Sequence, residues 1–286
     1  MRVEASAKLN LCLYLGPRRA DGLHELCSLF EPLALTDALE VGEAERDEVL
    51  CPGVEGENLA ARALTALRER GWDGPPLRVE IEKRIPVAAG LGGGSADAAA
   101  VLRLARGNLV ANRQTKAPSI DFAEVAAELG ADVPSQLDPA FSLVRGAGER
   151  VEPLPPPAPH AVVLLPSGGG LSTAEVFAEA DRQGLGRSAA ELEELAGRLR
   201  AAAGAGASPL DYVELLVNDL EPAAGALRPE IGAALEALRG ADAAHAVLSG
   251  SGPTAVGLFP TMARAKSAAA RIDREDAIAC EAGPIP

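Results

Sequence analysis

A run of glycines carries the strongest chemical signal in this chain. In Pro86-Val-Ala-Ala-Gly-Leu-Gly-Gly-Gly-Ser-Ala-Asp-Ala-Ala-Ala-Val101, Gly90, Gly92, Gly93 and Gly94 precede Ser95 and an Ala-rich stretch. Glycines leave backbone N–H groups uncovered, so they can turn toward an oxyanion as a nest. Ser95 reads as the N-cap of a helix over Ala96 to Ala105, whose positive end adds to the attraction. Together they make a phosphate cradle that needs no lysine. A tight structural turn is the bland alternative.

Better-known phosphate motifs do not fit. A dinucleotide fold wants a third glycine or alanine where Ser95 stands, and an acidic residue about 20 positions on. No acid appears near residues 110 to 116. A Walker loop needs Gly-Lys, which the chain lacks, and the protein-kinase triplet Asp-Phe-Gly is missing too.

Other candidates are weaker alone. Ser249-Gly-Ser-Gly-Pro-Thr254 lies between two strand-like runs, as a hairpin turn or a second wall of the same site. Asp132 follows a helix of residues 121–129, at the end where the dipole disfavours an anion. Function or a basic partner explains that placement, and so does an exposed or capping role. Lys8 opens an alternating strand, where an edge lysine is ordinary. His24, His160 and His245 show no metal-ligand spacing, and His24-Glu25 has no second histidine at the metalloprotease distance.

The elements that must position these residues read as α+β in two halves. Leu9, Leu11, Leu13 and Leu15 alternate along a strand that Gly16-Pro17 should stop. A turn follows at Arg18 to Gly22, then a second strand at Cys27 to Leu35. After Glu57-Asn58, Leu59, Ala63, Leu64 and Leu67 share one helical face. Leu77, Val79 and Ile81 alternate with charged residues as a half-buried strand. Pro153 to Pro159 reads as a stiff connector, so the expected domains are 1–152 and 160–286. Beyond it, the sequence predicts strands at Ala161–Leu165, Ala244–Leu248 and Ala255–Phe259. Helices are expected at Ser172–Arg182, Ser188–Ala203, Glu230–Arg239 and from Thr261 to about Arg271.

Composition bounds the partners. The chain has 286 residues, 48% of them hydrophobic, and a formal charge of −14. Such a surface repels nucleic acid and anionic lipid. At 3% aromatics there are few stacking platforms. Cys12, Cys27, Cys51 and Cys280 form no CxxC pair and read as free thiols in a reducing compartment. Met1 to Ala5 lack the apolar region of a signal peptide, and no apolar run reaches a membrane span. The expected location is the cytoplasm, as monomer or homodimer.

Taken in order, these segments resemble the GHMP kinase superfamily. Pro86 to Ala100 looks like its phosphate loop, and Leu248 to Thr254 like its third motif. Ser6 to Leu15 with Arg18-Arg-Ala-Asp-Gly-Leu-His-Glu-Leu26, and Leu129-Gly-Ala-Asp-Val-Pro134, resemble the branch that phosphorylates a cytidylated methylerythritol in the non-mevalonate isoprenoid route. The likeness spans about residues 3 to 271. It implies a two-domain GHMP fold with the active site in a cleft between domains, ATP and Mg²⁺, and transfer of the γ-phosphoryl to a 2-hydroxyl. It makes Asp132 the base and Lys8 its cationic partner.

By the same resemblance, Asn58, Lys83, Pro86, Gly90, Leu91, Gly92, Gly93, Gly94 and Ser95 bind ATP, with Ser95 near Mg²⁺. Asn10, Leu23, His24, Thr173, Phe177, Gly250, Ser251 and Gly252 fall on the substrate side, His24 against cytosine. The chain departs from the family at two places. Leu23 stands where an aromatic residue usually stacks on cytosine, and Ser135-Gln136 replace apolar or aromatic residues. A homoserine- or mevalonate-type kinase remains an alternative, as does a non-catalytic metabolite-binding protein on the same fold.

Overall fold

The computed structural model describes residues 1–107 and 120–283. These form two compact units that interleave along the chain. One comprises Met1–Ala7, Leu35–Val87 and Gly92–Pro139; the other Lys8–Ala34, Ala88–Leu91 and Ala140–Pro286.

In the first unit, β2 (His24–Glu43) contributes its later half. Ala38 to Glu43 pair antiparallel with β4 (Leu77–Glu82), and β4 pairs in parallel with β3 (Glu48–Leu50). Along β4, Leu77, Val79 and Ile81 are buried while Arg78, Glu80 and Glu82 are exposed, as the alternation required. The helices are α1 (Leu59–Glu69), α2 (Gly93–Arg106), α3 (Phe122–Leu129) and the single turn α4 (Val133–Gln136). Asn58 caps α1, its Oδ1 accepting from the Ala60 amide at 2.8 Å. Ala96, Ala98, Ala99 and Ala100 are fully buried. Their small side chains let α2 pack closely on α1.

The second unit holds the early half of β2, where Leu26 to Phe30 pair with β5 (Ser142–Gly146); β5 pairs with β6 (Arg150–Pro153). Its other sheet is antiparallel, in the order β10 (Ile278–Glu281), β7 (Ala161–Leu165), β9 (Ala255–Phe259), β8 (His245–Leu248). All five residues of β7 are fully buried. Its helices include α5 (Thr173–Gln183), α6 (Ala189–Ala203), α7 (Glu221–Leu227), α8 (Glu230–Gly240) and α9 (Met262–Ile272). Ser188 closes a reciprocal capping box with Glu191 at the start of α6.

Strand β1 runs Arg2–Arg18, through Gly16-Pro17 rather than stopping there. A Cβ on Gly16 would lie 2.9 Å from the Glu25 carbonyl and 2.5 Å from Leu192 Cδ2. That glycine serves close approach inside the strand. The alternation on β1 also hides a second buried face: Lys8 is 5% exposed and Asn10 2%. The solvated edge lysine is therefore corrected, because both faces of this stretch are covered. The four cysteines are unpaired thiols.

Glu31 and His160 form a buried pair, each side chain 1% exposed, with His160 Nε2 3.1 Å from Glu31 Oε2. The His160 Nδ1 faces the Ala158 carbonyl at 3.1 Å and must carry a hydrogen. Nε2 and the carboxylate then need a proton between them. Burial opposes charge on His160, but Glu31 and the Ala158 carbonyl outweigh it, and its pKa rises above the ordinary 6.5. Above that value an unfolded chain has released a proton that the folded one keeps, so stability falls as pH rises through the folded pKa. Thermal melts from pH 6 to 9, an interval that runs upward from about the ordinary histidine pKa, should show this loss. His160→Gln should flatten the slope, and an unchanged slope would remove the pair as its source.

Candidate functional site

Lys8 is held from several sides within the second unit. Its Nζ donates to Asn10 Oδ1 at 2.6 Å and lies 4.5 Å from the centre of the Phe30 ring. Asn10 Nδ2 donates to Ser28 Oγ at 3.0 Å. Lys8 and Asn10 project from the buried polar face of β1, opposite Leu9 and Leu11, and Ser28 and Phe30 come from β2.

The same residues tether the glycine loop. The Lys8 amide donates to the Leu91 carbonyl at 2.9 Å. Ser249 Oγ accepts from the Asn10 amide at 3.2 Å and donates to the Gly90 carbonyl at 3.3 Å. A Cβ on Gly90 would lie 2.7 Å from the Gly252 carbonyl oxygen and 2.9 Å from that of Ser249. The turn at 249–252 is thus the wall against which Gly90 rests. Asn218 supports that wall, its Nδ2 donating to the carbonyls of Leu248 (2.8 Å) and Gly250 (2.7 Å).

Helix α2 begins three residues before the expected start, at Gly93 rather than Ala96. Gly92 is its N-cap, left-handed at φ 69°, and no side chain caps it. Ser95 is the third helical residue, which corrects its assignment as N-cap. A glycine can take the left-handed cap conformation without a Cβ penalty, so the serine is not needed there. The first amides of a helix have no intrahelical partner. At this end they belong to Gly93, Gly94 and Ser95, and only Ser95 carries a functional side chain. Gly94 is exposed, and a Cβ on it would meet nothing closer than Leu59 Cδ1 at 3.7 Å. Such an end fits phosphate oxygens. Pro86 is half-buried, in the stretch between β4 and the loop.

Lys83 is committed to two carboxylates. Its Nζ donates to Asp37 and, at 2.9 Å, to Asp97. Asp37 also accepts from the amides of Arg84 (2.7 Å) and Ile85 (2.9 Å). Burial pushes the Asp97 carboxyl up to about 6, against the pull of Lys83. Burial works against the Lys83 charge too, but its two acidic partners raise its pKa overall. Removing this cation leaves two carboxylates buried together. Lys83→Met should cost about 3–5 kcal/mol in a urea unfolding titration, with part regained in Lys83→Met/Asp97→Asn. Native stability in the single variant would make Lys83 a surface ligand contact only.

Asp132 occupies the N-terminal boundary of α4. It lies just past the end of α3, as expected, and the single turn α4 starts directly after it. Ser135 Oγ donates to the Asp132 carbonyl at 2.8 Å, and Arg103 Nη1 donates to that of Gln136 at 2.6 Å. Ser135 and Gln136, the departures from the family pattern, are buried.

Helix α5 carries Thr173 and Phe177, two of the residues expected on the substrate side. Thr173, Phe177 and Asp181 are four apart and share one face. Thr173 Oγ1 lies 3.0 Å from Ser251 Oγ. The Phe177 ring is 5.5 Å from that of His24, tilted by 45°. His24 Nδ1 bonds the Gly16 carbonyl at 3.1 Å, and Nε2 is 3.2 Å from Asp181 Oδ1. Leu23 is 55% exposed beside this buried histidine. Gly250 and Gly252 are buried in left-handed conformations.

Sequence reading missed Asp37, Asp97, Ser28, Asn218 and Asp181. Asp181 alone had a usable signal, its spacing of four from Phe177. Among the described residues, no group of three or more His, Cys, Asp and Glu is arranged to hold a metal, and no helix is long and apolar enough to cross a membrane.

The profile for the GHMP kinases N terminal domain matches residues 58–146, and that for the GHMP kinases C terminal region matches 184–278. The tethered glycine loop thus sits in a GHMP kinase. Similar chains include the 4-diphosphocytidyl-2-C-methyl-D-erythritol kinases of Anaeromyxobacter dehalogenans (strain 2CP-C), 41% identical over 94% of this chain and 83% of that one, and Thermobifida fusca (strain YX), 38% identical over 99% and 96%. A crystal structure of 4-(cytidine 5'-diphospho)-2C-methyl-D-erythritol kinase superposes with a TM-score of 0.80 at 34% identity, covering 100% of both chains. Within the GHMP kinases, this chain belongs to the 4-diphosphocytidyl-2-C-methyl-D-erythritol kinase family. A homoserine kinase from Cytophaga hutchinsonii shares the fold, with a TM-score of 0.68 at 18% identity.

Proposed function

We propose that this chain transfers the γ-phosphoryl of ATP to the 2-hydroxyl of 4-diphosphocytidyl-2-C-methyl-D-erythritol. The observation that carries the reading is the uncapped start of α2, preceded by a glycine loop strapped to Lys8 and Ser249. The hydroxyl oxygen attacks the γ-phosphorus, the bond to the bridging oxygen breaks, and ADP leaves. Asp132 takes the hydroxyl proton. Lys8 supplies positive charge to the transferring phosphoryl, and the buried contacts to Asn10 and Phe30 pre-set its position. Most of the acceleration is positioning and charge neutralisation.

Gly90, Leu91, Gly92, Gly93, Gly94 and Ser95 hold the phosphates, and Asn58, Lys83 and Pro86 border the adenine. Lys83 acts there through its stem and backbone, since its ammonium already holds Asp37 and Asp97. Mg²⁺ arriving with the nucleotide would neutralise phosphate charge, and the Ser95 hydroxyl is the ligand that α2 offers it. Asn10, Leu23, His24, Thr173, Phe177, Gly250, Ser251 and Gly252 face the cytidylated substrate. The site works in the cytoplasm.

ADP release measured with and without the cytidylated substrate tests the assignment. Substrate-dependent release supports it. Release only with homoserine or mevalonate would make the chain another GHMP kinase, and binding without turnover would make it a sensor.

A further inference from the structure

We propose that Asp181 is a specificity residue, the acceptor that selects an amino-bearing pyrimidine over its carbonyl counterpart. The inference rests on the reading above that a cytidylated substrate lies at His24 and Phe177.

The argument begins with the histidine ring. Gly16 offers only a carbonyl to Nδ1, so that nitrogen carries a hydrogen. Nε2 faces the Asp181 carboxylate at 3.2 and 3.4 Å. If the ring is neutral, Nε2 and the carboxylate are two acceptors side by side. If it is charged, Nε2 donates to one carboxylate oxygen and the other still accepts. Either way the polar edge of this cluster is an acceptor, and the Asp181 side chain is 45% exposed.

The titratable and ring groups at this place are His24 from the start of β2, and Phe177 and Asp181 from one face of α5. Phe177 supplies an apolar ring. Leu23 adds apolar contact but no ring, so stacking cannot come from that side. Base identity must then be read at the edge. A carboxylate accepts well from the exocyclic amine of cytosine, and it repels the carbonyl oxygen that uracil carries at the same position. The mismatched analogue therefore loses a hydrogen bond and sets a carbonyl oxygen against a carboxylate, and the partly exposed acceptor makes that a moderate rather than an absolute rejection.

The test is calorimetric titration of cytidine and uridine monophosphates into the parent chain, Asp181→Asn and Asp181→Glu. The parent should prefer the cytidine nucleotide by about tenfold or more. Asp181→Asn keeps the shape but presents an amide donor, and the preference should shrink to about threefold or less. Asp181→Glu keeps an acceptor and should retain most of it. A purely structural role for this exposed residue would move both affinities together and leave their ratio alone. An unchanged ratio in Asp181→Asn overturns the proposal, as does a parent that binds both nucleotides equally or neither. Selective binding without ATP-dependent phosphorylation would instead overturn the kinase assignment and leave Asp181 standing.

Discussion

Asp132→Asn should lose turnover by about 10²-fold or more while ATP still binds. Asparagine has the shape of aspartate, so the loss isolates its capacity to take a proton. The surroundings make the comparison clean. The backbone at Asp132 is fixed by the bond from Ser135 Oγ to its carbonyl and by that from the Val133 amide to the Gly130 carbonyl. Val133 is fully buried beside it. Neither restraint uses the carboxylate, so the variant should keep the backbone of this turn in place. Lowered kcat with unchanged nucleotide affinity is the expected result in single-turnover and binding experiments. Near-native turnover would take Asp132 out of the mechanism, and a misfolded variant would show it as a structural cap.

The glycine loop and the regular elements were legible because each depends on local chemistry. Alternation over Leu77 to Glu82 and the caps Asn58, Ser172 and Ser188 act within a few residues of themselves. Elements such as β3, β10 and α4 were illegible for the opposite reason. Three or four residues carry too little periodicity, and the two strands are defined by pairing partners distant in the chain. Helix α7 was not expected from the sequence; it holds Pro222 in its first turn, where a proline is tolerated.

The site divides in the same way. Lys8 reads as an edge residue until the burial of both faces of β1 is known. Asp37 and Asp97 are ordinary charges in the sequence, and only tertiary structure brings them to Lys83. Family resemblance supplied roles for Lys8 and Asp132 that spacing alone left open.

Replacing Gly90 and Gly94 separately should split the loop into a structural part and a binding part. Gly90 has φ 74°, and an added Cβ would press on the Gly252 and Ser249 carbonyl oxygens at 2.7 and 2.9 Å. The left-handed conformation costs an alanine roughly 1–2 kcal/mol, and overpacking typically adds about 1–3 kcal/mol. Gly90→Ala should therefore lower stability by urea titration, and weaken ATP by displacing both loops. Gly94 is different. It lies in the first turn of α2, is exposed, and has 3.7 Å of clearance to Leu59. Gly94→Val should leave stability within about 1 kcal/mol, since valine is no worse than glycine in a helix. Its branched bulk would stand where phosphate oxygens approach, and ATP affinity should fall by about tenfold or more. Gly93→Val is a poorer probe, because its Cβ would meet Lys83 Nζ and Ile85 Cγ2 at 3.1 Å and disturb the Asp37–Lys83–Asp97 cluster. If Gly94→Val is stable and binds ATP like the parent, the start of α2 is a turn and the phosphates are held elsewhere.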